Sequence, residues 1–437
     1  MSVTMAKITR GPLAAALLVA TLFGAAIPGW CAGAMDAATA RRIAHLLGDT
    51  PLIDGHNDFA EQLRDKFGNK LWSADLSGTP GTPITQLQTD ISRLRQGHLG
   101  GQFWSVWIPV SITGAEAVRA TLMQIDVVRG MVERYPDTFA LASTADDIVR
   151  IHKSGRIASM MGVEGGHQIG DSIAALRQYY ALGVRYMTLT HTSNNSLADS
   201  ATDNPVHHGL SPFGRAVVTE MNRLGMLVDI SHVSPEVMRQ AIALSRAPVI
   251  FSHSSARALT EHPRNVPDDV LQLLVDRDGV VMVNFFAGYV SEPVNQWVAD
   301  QSAETARYNS PPYAGLYIGQ PERAAAALAA WEKAHPRPSA TVSDVADHVE
   351  YIVKVAGIDH VGIGSDFDGI DITPDGLASV ADYPNLFAEL IRRGWSDAML
   401  SKLAGGNLLR VLRKAEAVSI AMKGLAPNDP TVAELNH

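Results

Sequence analysis

The stretch Leu52-Ile53-Asp54-Gly55-His56-Asn57-Asp58 reads as a short buried strand that runs straight into a His-x-Asp pair. In extended backbone, residues two apart project to the same side. The imidazole of His56 and the carboxylate of Asp58 can therefore aim at one point. Such a pair makes half of a divalent-metal site, because zinc accepts both imidazole nitrogen and carboxylate oxygen. A His-x-Asp pair also arises by chance at solvated strand ends. The rest of the chain gives this one its weight, because the pattern repeats.

Working outward, further apolar runs rich in β-branched and aromatic residues fall at 101–108, 157–163, 184–190, 226–230, 248–251, 280–286 and 361–364. Helical periodicity occupies 37–47, 116–135, 144–153, 172–182, 212–224, 235–245, 267–276 and 343–356. Eight strands alternating with helices predict parallel βα units closed into a (β/α)8 barrel of the TIM type. An open doubly wound sheet is the competing architecture, but no glycine-rich phosphate loop follows the first strand. Residues 59–98 read as loop-rich, with a turn-dense patch at 78–83. The segment 289–340, between the seventh and eighth strands, is longer than a βα connection needs and includes an alanine-rich helix around 324–330. It reads as an elaborated loop that roofs one barrel end, within a single domain spanning 35–437.

Polar residues now fall at strand ends. His56 and Asp58 follow the first strand, Glu164 ends the third, His191 the fourth, His232 the fifth and His253 the sixth, while Asp366 and Asp368 end the eighth. In a barrel these ends converge on one mouth, where active sites sit. Any one strand-end histidine is more often merely hydrogen-bonded than a ligand. Joint burial of so many ionisable groups is costly unless a metal organises them. Five good ligands are too many for one tetrahedral catalytic zinc with an open position. Two metals sharing Glu164, whose strand lies between the two ligand groups, would use them all. A bridged pair of divalent ions can hold a hydroxide and polarise a carbonyl, which suits hydrolysis of an amide or ester.

Composition sets the outer bounds. The chain has 437 residues, 46% hydrophobic and 19% charged, with a net charge of −9. This is globular and mildly acidic, and no basic stripe interleaved with aromatics points to nucleic acid. Lys7 and Arg10 precede an apolar run over 13–27, followed by Ala32-Gly33-Ala34. That is the pattern of a secretory signal peptide cut after Ala34, which predicts a secreted or periplasmic protein with no transmembrane helix in the mature chain. A cut there removes Cys31, the single cysteine, and leaves no thiol as nucleophile or ligand. Lipidation at Cys31 is the alternative, although Trp30 before it is a poor fit.

The motifs together resemble the renal-type (membrane) dipeptidase family, zinc metallopeptidases with an amidohydrolase-like barrel. They are Ile53-Asp54-Gly55-His56-Asn57-Asp58, Val163-Glu164-Gly165-Gly166-His167, Tyr186-Met187-Thr188-Leu189-Thr190-His191 with Asn194-Asn195, and Ala198-Asp199-Ser200. Gly209-Leu210-Ser211-Pro212-Phe213-Gly214, Val228-Asp229-Ile230-Ser231-His232-Val233-Ser234, Phe251-Ser252-His253-Ser254-Ser255-Ala256 and Arg264-Asn265-Val266-Pro267-Asp268 continue the series. Gly364-Ser365-Asp366-Phe367-Asp368-Gly369 and Gly406-Asn407 with Arg410-Val411 close it.

The resemblance implies two zinc ions per chain. His56 and Asp58 bind one, His232 and His253 the other, and Glu164 bridges them. It implies that His191 holds the substrate carbonyl oxygen, that Arg264 receives the C-terminal carboxylate and that Asp366 is the acid/base. Without it, Arg264 reads as a solvated surface residue. Asp368 reads as a turn residue, and His167 as lying near the site without binding metal. Small dipeptides, L–L and possibly L–D, are the implied substrates, and a homodimer the implied assembly. Another amide or ester hydrolase and a non-catalytic binding protein of the cell envelope compete with this reading. Arg264 discriminates against the first and Asp366 against the second.

Overall fold

The computed structural model describes residues 35–311 and 315–427, together with 430, 431 and 434. The expected signal peptide and Cys31 lie outside the described residues. The parallel strands are β1 (Leu52–Asn57), β2 (Leu99–Val106), β3 (Phe139–Leu141), β4 (Ile157–Glu164), β5 (Val184–Thr188), β6 (Leu227–Asp229), β7 (Ile250–Phe251), β8 (Val280–Val283) and β9 (Val361–Ile363). They hydrogen-bond in the order β2-β1-β9-β8-β7-β6-β5-β4, and pairing of β2 with β4 closes the ring into an eight-stranded barrel. All eight expected strands are present. β3 is an addition the sequence did not disclose: three residues that pair with the first three of β4.

Every residue of β1, β2 and β4 is buried, which is why these strands read as near-continuous apolar runs and not as alternation. Local chemistry starts the surrounding helices. Ser211 and Ser234 accept from the backbone of Gly214 and Val237, with Pro212 and Pro235 in the first turn. Thr144 and Asp147 form a reciprocal capping box on Ala145–Lys153.

Two stretches differ from expectation. Residues 59–98 are not simply loop. Phe59–Phe67 is a helix that begins at Asp58, buries Phe59, Ala60 and Leu63, and ends on Gly68 in the left-handed region. The segment 289–340 is a pair of helices, Glu292–Asn309 and Pro321–Ala334. Among the described residues of that segment only Tyr289 lines the cavity at the barrel mouth, so the helical pair contributes no roof to it. Helices Tyr383–Arg392 and Asn407–Met422, not assigned from the sequence, complete the outer layer. No helix among the described residues is long and apolar enough to cross a membrane.

The barrel interior leaves room for one large side chain that matters below. The ring of Tyr186 crosses β4 at Gly162, where a Cβ would stand 1.9 Å from the Tyr186 Cζ. A side chain at 162 must displace that ring. Gly162→Ala is therefore expected to destabilise the fold by about 1–3 kcal/mol, the usual cost of overpacking a core. The measurement is the midpoint of thermal or urea unfolding against the unchanged protein.

Candidate active site

The barrel mouth collects the strand-end residues around one cavity of about 350 Å³, at the small end of the range for ligand sites. Asp58, Glu164, His191, His232, His253, Arg264 and Asp366 line it, and His56 lies fully buried beside them. The structure thus unites all eight residues singled out from the sequence. His167 is buried but does not line the cavity. Burial, then His191, holds its imidazole down to about 4, so it is neutral.

Glu164 is the centre. Its Oε2 lies 3.4 Å from His56 Nε2, while its Oε1 lies 2.9 Å from His232 Nε2 and 3.3 Å from His253 Nε2. The two oxygens thus face two different groups of donors. Asp58 Oδ2 stands 3.3 Å from His56 Nε2 on the other side, and His232 Nε2 is 2.9 Å from His253 Nε2. Ligands about 2.0–2.1 Å from a tetrahedral zinc stand roughly 3.3 Å apart, so these separations suit atoms sharing a cation. Three triples have donor atoms mutually within 4.8 Å: His56, Glu164, His253; Glu164, His191, His232; and His56, Asp58, Asp366.

Two of the histidines have a partner on the ring nitrogen that faces away from the cavity. Tyr186 Oη lies 3.2 Å from the carbonyl of Gly55 and 2.7 Å from His56 Nδ1; when it donates to the carbonyl it accepts from Nδ1–H. That tautomer leaves buried Nε2, which has no hydrogen-bond partner, bare. Ser252 Oγ donates to Asp229 at 2.6 Å and accepts from His253 Nδ1 at 2.7 Å, which frees His253 Nε2 in the same way. A hydrogen bond on one ring nitrogen decides which nitrogen is left for a metal. Burial lowers the pKa of both His232 and His253, keeping them neutral. Burial opposes ionisation of Glu164, yet His56 and the other histidines hold its carboxyl well below the usual range. On His56, burial is outweighed by Tyr186, Glu164 and Asp58, which favour a proton well above the usual imidazole range. A divalent ion would take that proton's place. The donor set fits a metal centre.

Two buried aspartates fix the strand ends. Asp54 accepts from Ser365 N at 2.7 Å, Ser365 Oγ at 2.6 Å and Tyr383 Oη at 2.6 Å, fastening β1 to the end of β9. Asp229 accepts from Ser252 N at 2.9 Å and Ser231 N at 3.1 Å, besides Ser252 Oγ. His232 and Asp366 adopt left-handed φ values of 65° and 67°, a strain of about 1–3 kcal/mol each that persists only where surroundings impose it. At His232 the carbonyl is clamped by Ala201 N at 2.7 Å. At Asp366 the backbone N–H donates to His56 O at 3.1 Å.

Arg264 is 2% exposed, so the solvated reading is wrong. Its Nη1 and Nη2 donate to Ser254 Oγ at 3.3 Å and His253 O at 3.2 Å, and Nε has no partner. Asp366 Oδ2 accepts from Asn284 Nδ2 at 2.8 Å. Burial, then Asp58, raises its pKa well above the usual carboxylate value. Asp368 serves the turn, as expected: its Oδ1 accepts from Gln88 N at 2.7 Å.

The family model of the membrane dipeptidases, peptidase family M19, matches residues 40–424. An uncharacterised dipeptidase of Schizosaccharomyces pombe is 43% identical over 92% of this chain and 89% of its own. Dipeptidase verJ of Clonostachys rogersoniana is 42% identical over 86% of this chain and 87% of its own. Among solved structures, the probable dipeptidase PvdM of Pseudomonas aeruginosa superposes with a TM-score of 0.72 at 29% identity, covering 87% of this chain and 99% of that one. The chain belongs to peptidase family M19. It is a dipeptidase of a metallopeptidase family, as its motifs suggest.

The sequence reading of this M19 dipeptidase missed several cavity residues, among them Glu61, Trp107, Phe286 and Tyr289. Burial, then the charge of Asp58, pushes the Glu61 carboxyl up to about 8. It also missed Tyr186, Ser252, Asp54 and Asp229 as supports. The last two carried a legible signal, since a carboxylate inside an apolar strand is rarely buried without a partner. Tyr186→Phe and Ser252→Ala are each expected to weaken metal binding about 10- to 100-fold, the usual effect of losing a ligand's supporting hydrogen bond. Competition against a chelator measures this without reference to turnover.

Proposed function

We propose that this M19 enzyme is a di-zinc dipeptidase that cleaves the single peptide bond of small L–L and L–D dipeptides. The observation that carries the two-metal reading is Glu164, whose two carboxylate oxygens face separate donor groups, His56 on one side and His232 with His253 on the other. Zinc is the ion proposed, since a closed set of imidazole and carboxylate ligands suits it. Two ions held there supply a nucleophile from water at neutral pH and polarise the scissile carbonyl.

The chain's own residues do the rest. Arg264, buried beside His253, takes the substrate's C-terminal carboxylate, for which its planar fork of donors is matched. His191, kept neutral by burial, donates to the carbonyl oxygen as negative charge develops there. Asp366 accepts a proton from the attacking water and delivers it to the leaving nitrogen as the C–N bond breaks. Asn284 holds the second oxygen of Asp366, so one oxygen stays directed at the reaction.

Export to the periplasm or the exterior is proposed from the leader-like composition of 1–34. The homodimer is proposed on the family resemblance. Hydrolysis of other amides or esters is the second reading, and the buried arginine on the cavity wall favours a substrate that carries a free carboxylate.

Metal content measured together with turnover on L–L and L–D dipeptides tests the core of this reading. About two zincs per chain are expected, with cleavage abolished by chelation and restored by zinc. Bound metal with no dipeptide cleaved overturns it. Arg264→Ala should cost a dipeptide roughly 30- to 1,000-fold in kcat/KM, as for truncating one partner of a buried charge pair, and a neutral ester far less. Equal losses would count against the carboxylate role. Asp366→Asn should keep both metals and lose about 10²- to 10⁴-fold in kcat, the range for a general acid–base; undiminished turnover removes Asp366 from the mechanism.

A further inference from the structure

A dipeptide carries opposite charges at its two ends, and the cavity sets a guanidinium and a carboxyl group on two different walls. Around the barrel, β7 stands diametrically across from β2, and β1 is the neighbour of β2. Arg264 follows β7, whereas Glu61 follows β1 and Trp107 follows β2, and all three line the cavity. Glu61 sits in the first turn of the helix Phe59–Phe67, three residues beyond Asp58. Its backbone N–H donates to Asp58 O at 2.9 Å. Helical side chains lean toward the helix N-terminus, which here is the barrel mouth.

Three of the other carboxylates on the cavity wall are engaged, and the fourth, Asp371, is exposed to solvent. Asp58 and Glu164 face the histidines, and Asp366 is held by Asn284. Glu61 meets Arg64 at 3.4 Å, but that guanidinium is committed elsewhere. Arg64 donates to Asp65 at 2.7 Å and to Trp107 O at 2.9 Å, and lies 4.9 Å over the Trp107 ring. Glu61 thus presents a partly buried carboxyl, its side chain 21% exposed, with only a long contact to a shared cation; burial and Asp58 push it up to about 8, and an ammonium group beside it favours its ionised form.

We propose that Glu61 receives the α-ammonium group of the dipeptide, so that the substrate is held by its amino end at Glu61 and by its carboxylate end at Arg264. This rests on the dipeptidase reading above and adds the residue that selects a free amino terminus.

The test compares L-Ala-L-Ala, its des-amino analogue N-propionyl-L-alanine, and L-Lys-L-Ala on the zinc-loaded enzyme and on Glu61→Gln. The unchanged enzyme is expected to prefer L-Ala-L-Ala strongly over the des-amino analogue. In Glu61→Gln, kcat/KM for both dipeptides should fall about 10- to 100-fold, the worth of a hydrogen bond to a charged group, chiefly through KM. The des-amino analogue should be unaffected, so the preference collapses, and zinc content should stay as before. A retained preference, equal losses on all three compounds or lost zinc would overturn the assignment. A loss confined to L-Lys-L-Ala would overturn it in favour of a side-chain role. If the unchanged enzyme cleaves none of the three, the dipeptidase reading falls and takes this assignment with it. Normal dipeptide turnover with a retained preference in Glu61→Gln removes Glu61 alone.

Discussion

Three carboxylates converge on one imidazole nitrogen in the floor of the cavity. Asp58, Glu164 and Asp366 lie 3.3, 3.4 and 3.9 Å from His56 Nε2, and all but Asp366 are nearly fully buried. Like charges this close, withdrawn from water, repel strongly and lose their hydration. Protonation of some of them, or a bound cation, is what makes the arrangement tolerable. The rest of the mouth is the means of holding it. Left-handed turns at His232 and Asp366 aim those side chains inward, and Gly369 leaves the space a Cβ would contest with Asp58 Oδ2 at 2.2 Å. A bound cation is thus one condition under which this end of the barrel is electrostatically balanced with its carboxylates ionised.

Much of this was legible in the sequence, for a physical reason. Parallel strands covered on both faces are apolar throughout, so the polar residue that ends such a run marks where the strand leaves the core. His56, Glu164, His191, His232, His253 and Asp366 all announced themselves in this way, and barrel closure did the rest. Arg264 gave no such sign. It lies in the loop after β7, and only the folded chain shows that the loop turns back to bury it against Ser254 and His253.

Where the reading failed, the cause was local signal overruled or diluted. The helix Phe59–Phe67 has apolar residues at 59, 60, 63 and 67 and a glycine stop, but it is short, and the turn-dense patch at 78–83 dominated its surroundings. The strand Phe139–Leu141 is three residues long and is defined by its partner Ile157–Ser159 more than by its own composition. The segment 289–340 was expected to cover the mouth because its length suggested a lid. Its helices Glu292–Asn309 and Pro321–Ala334 instead pair with each other, and among the described residues of the segment only Tyr289, at the near end, reaches the cavity. Length alone carries no information about direction.

The supports of the two ligand groups divide the labour between chemistry and specificity. Asp54 ties the end of β1 to Ser365 beyond β9, and Asp229 ties the end of β6 to Ser252 beyond β7. Each of these aspartates is wholly buried in the barrel wall. Metal-facing atoms therefore inherit the rigidity of paired strands, and Tyr186 and Ser252 fix their proton positions from within the core. Glu61 and Tyr289, in contrast, stand on the helices Phe59–Phe67 and Ala287–Val290, and Arg264 on a loop beyond the strands. Sites built on helices or strands hold geometry more closely than sites on loops, and loops accept change more readily. The two residues proposed to meet the ends of a substrate are coupled to this centre to different degrees: Arg264 Nη2 donates to His253 O, so replacing it disturbs the chain beside a histidine, whereas Glu61 meets Arg64 and the backbone of Asp58. A change in the choice of dipeptide is therefore accommodated more readily at Glu61 than at Arg264.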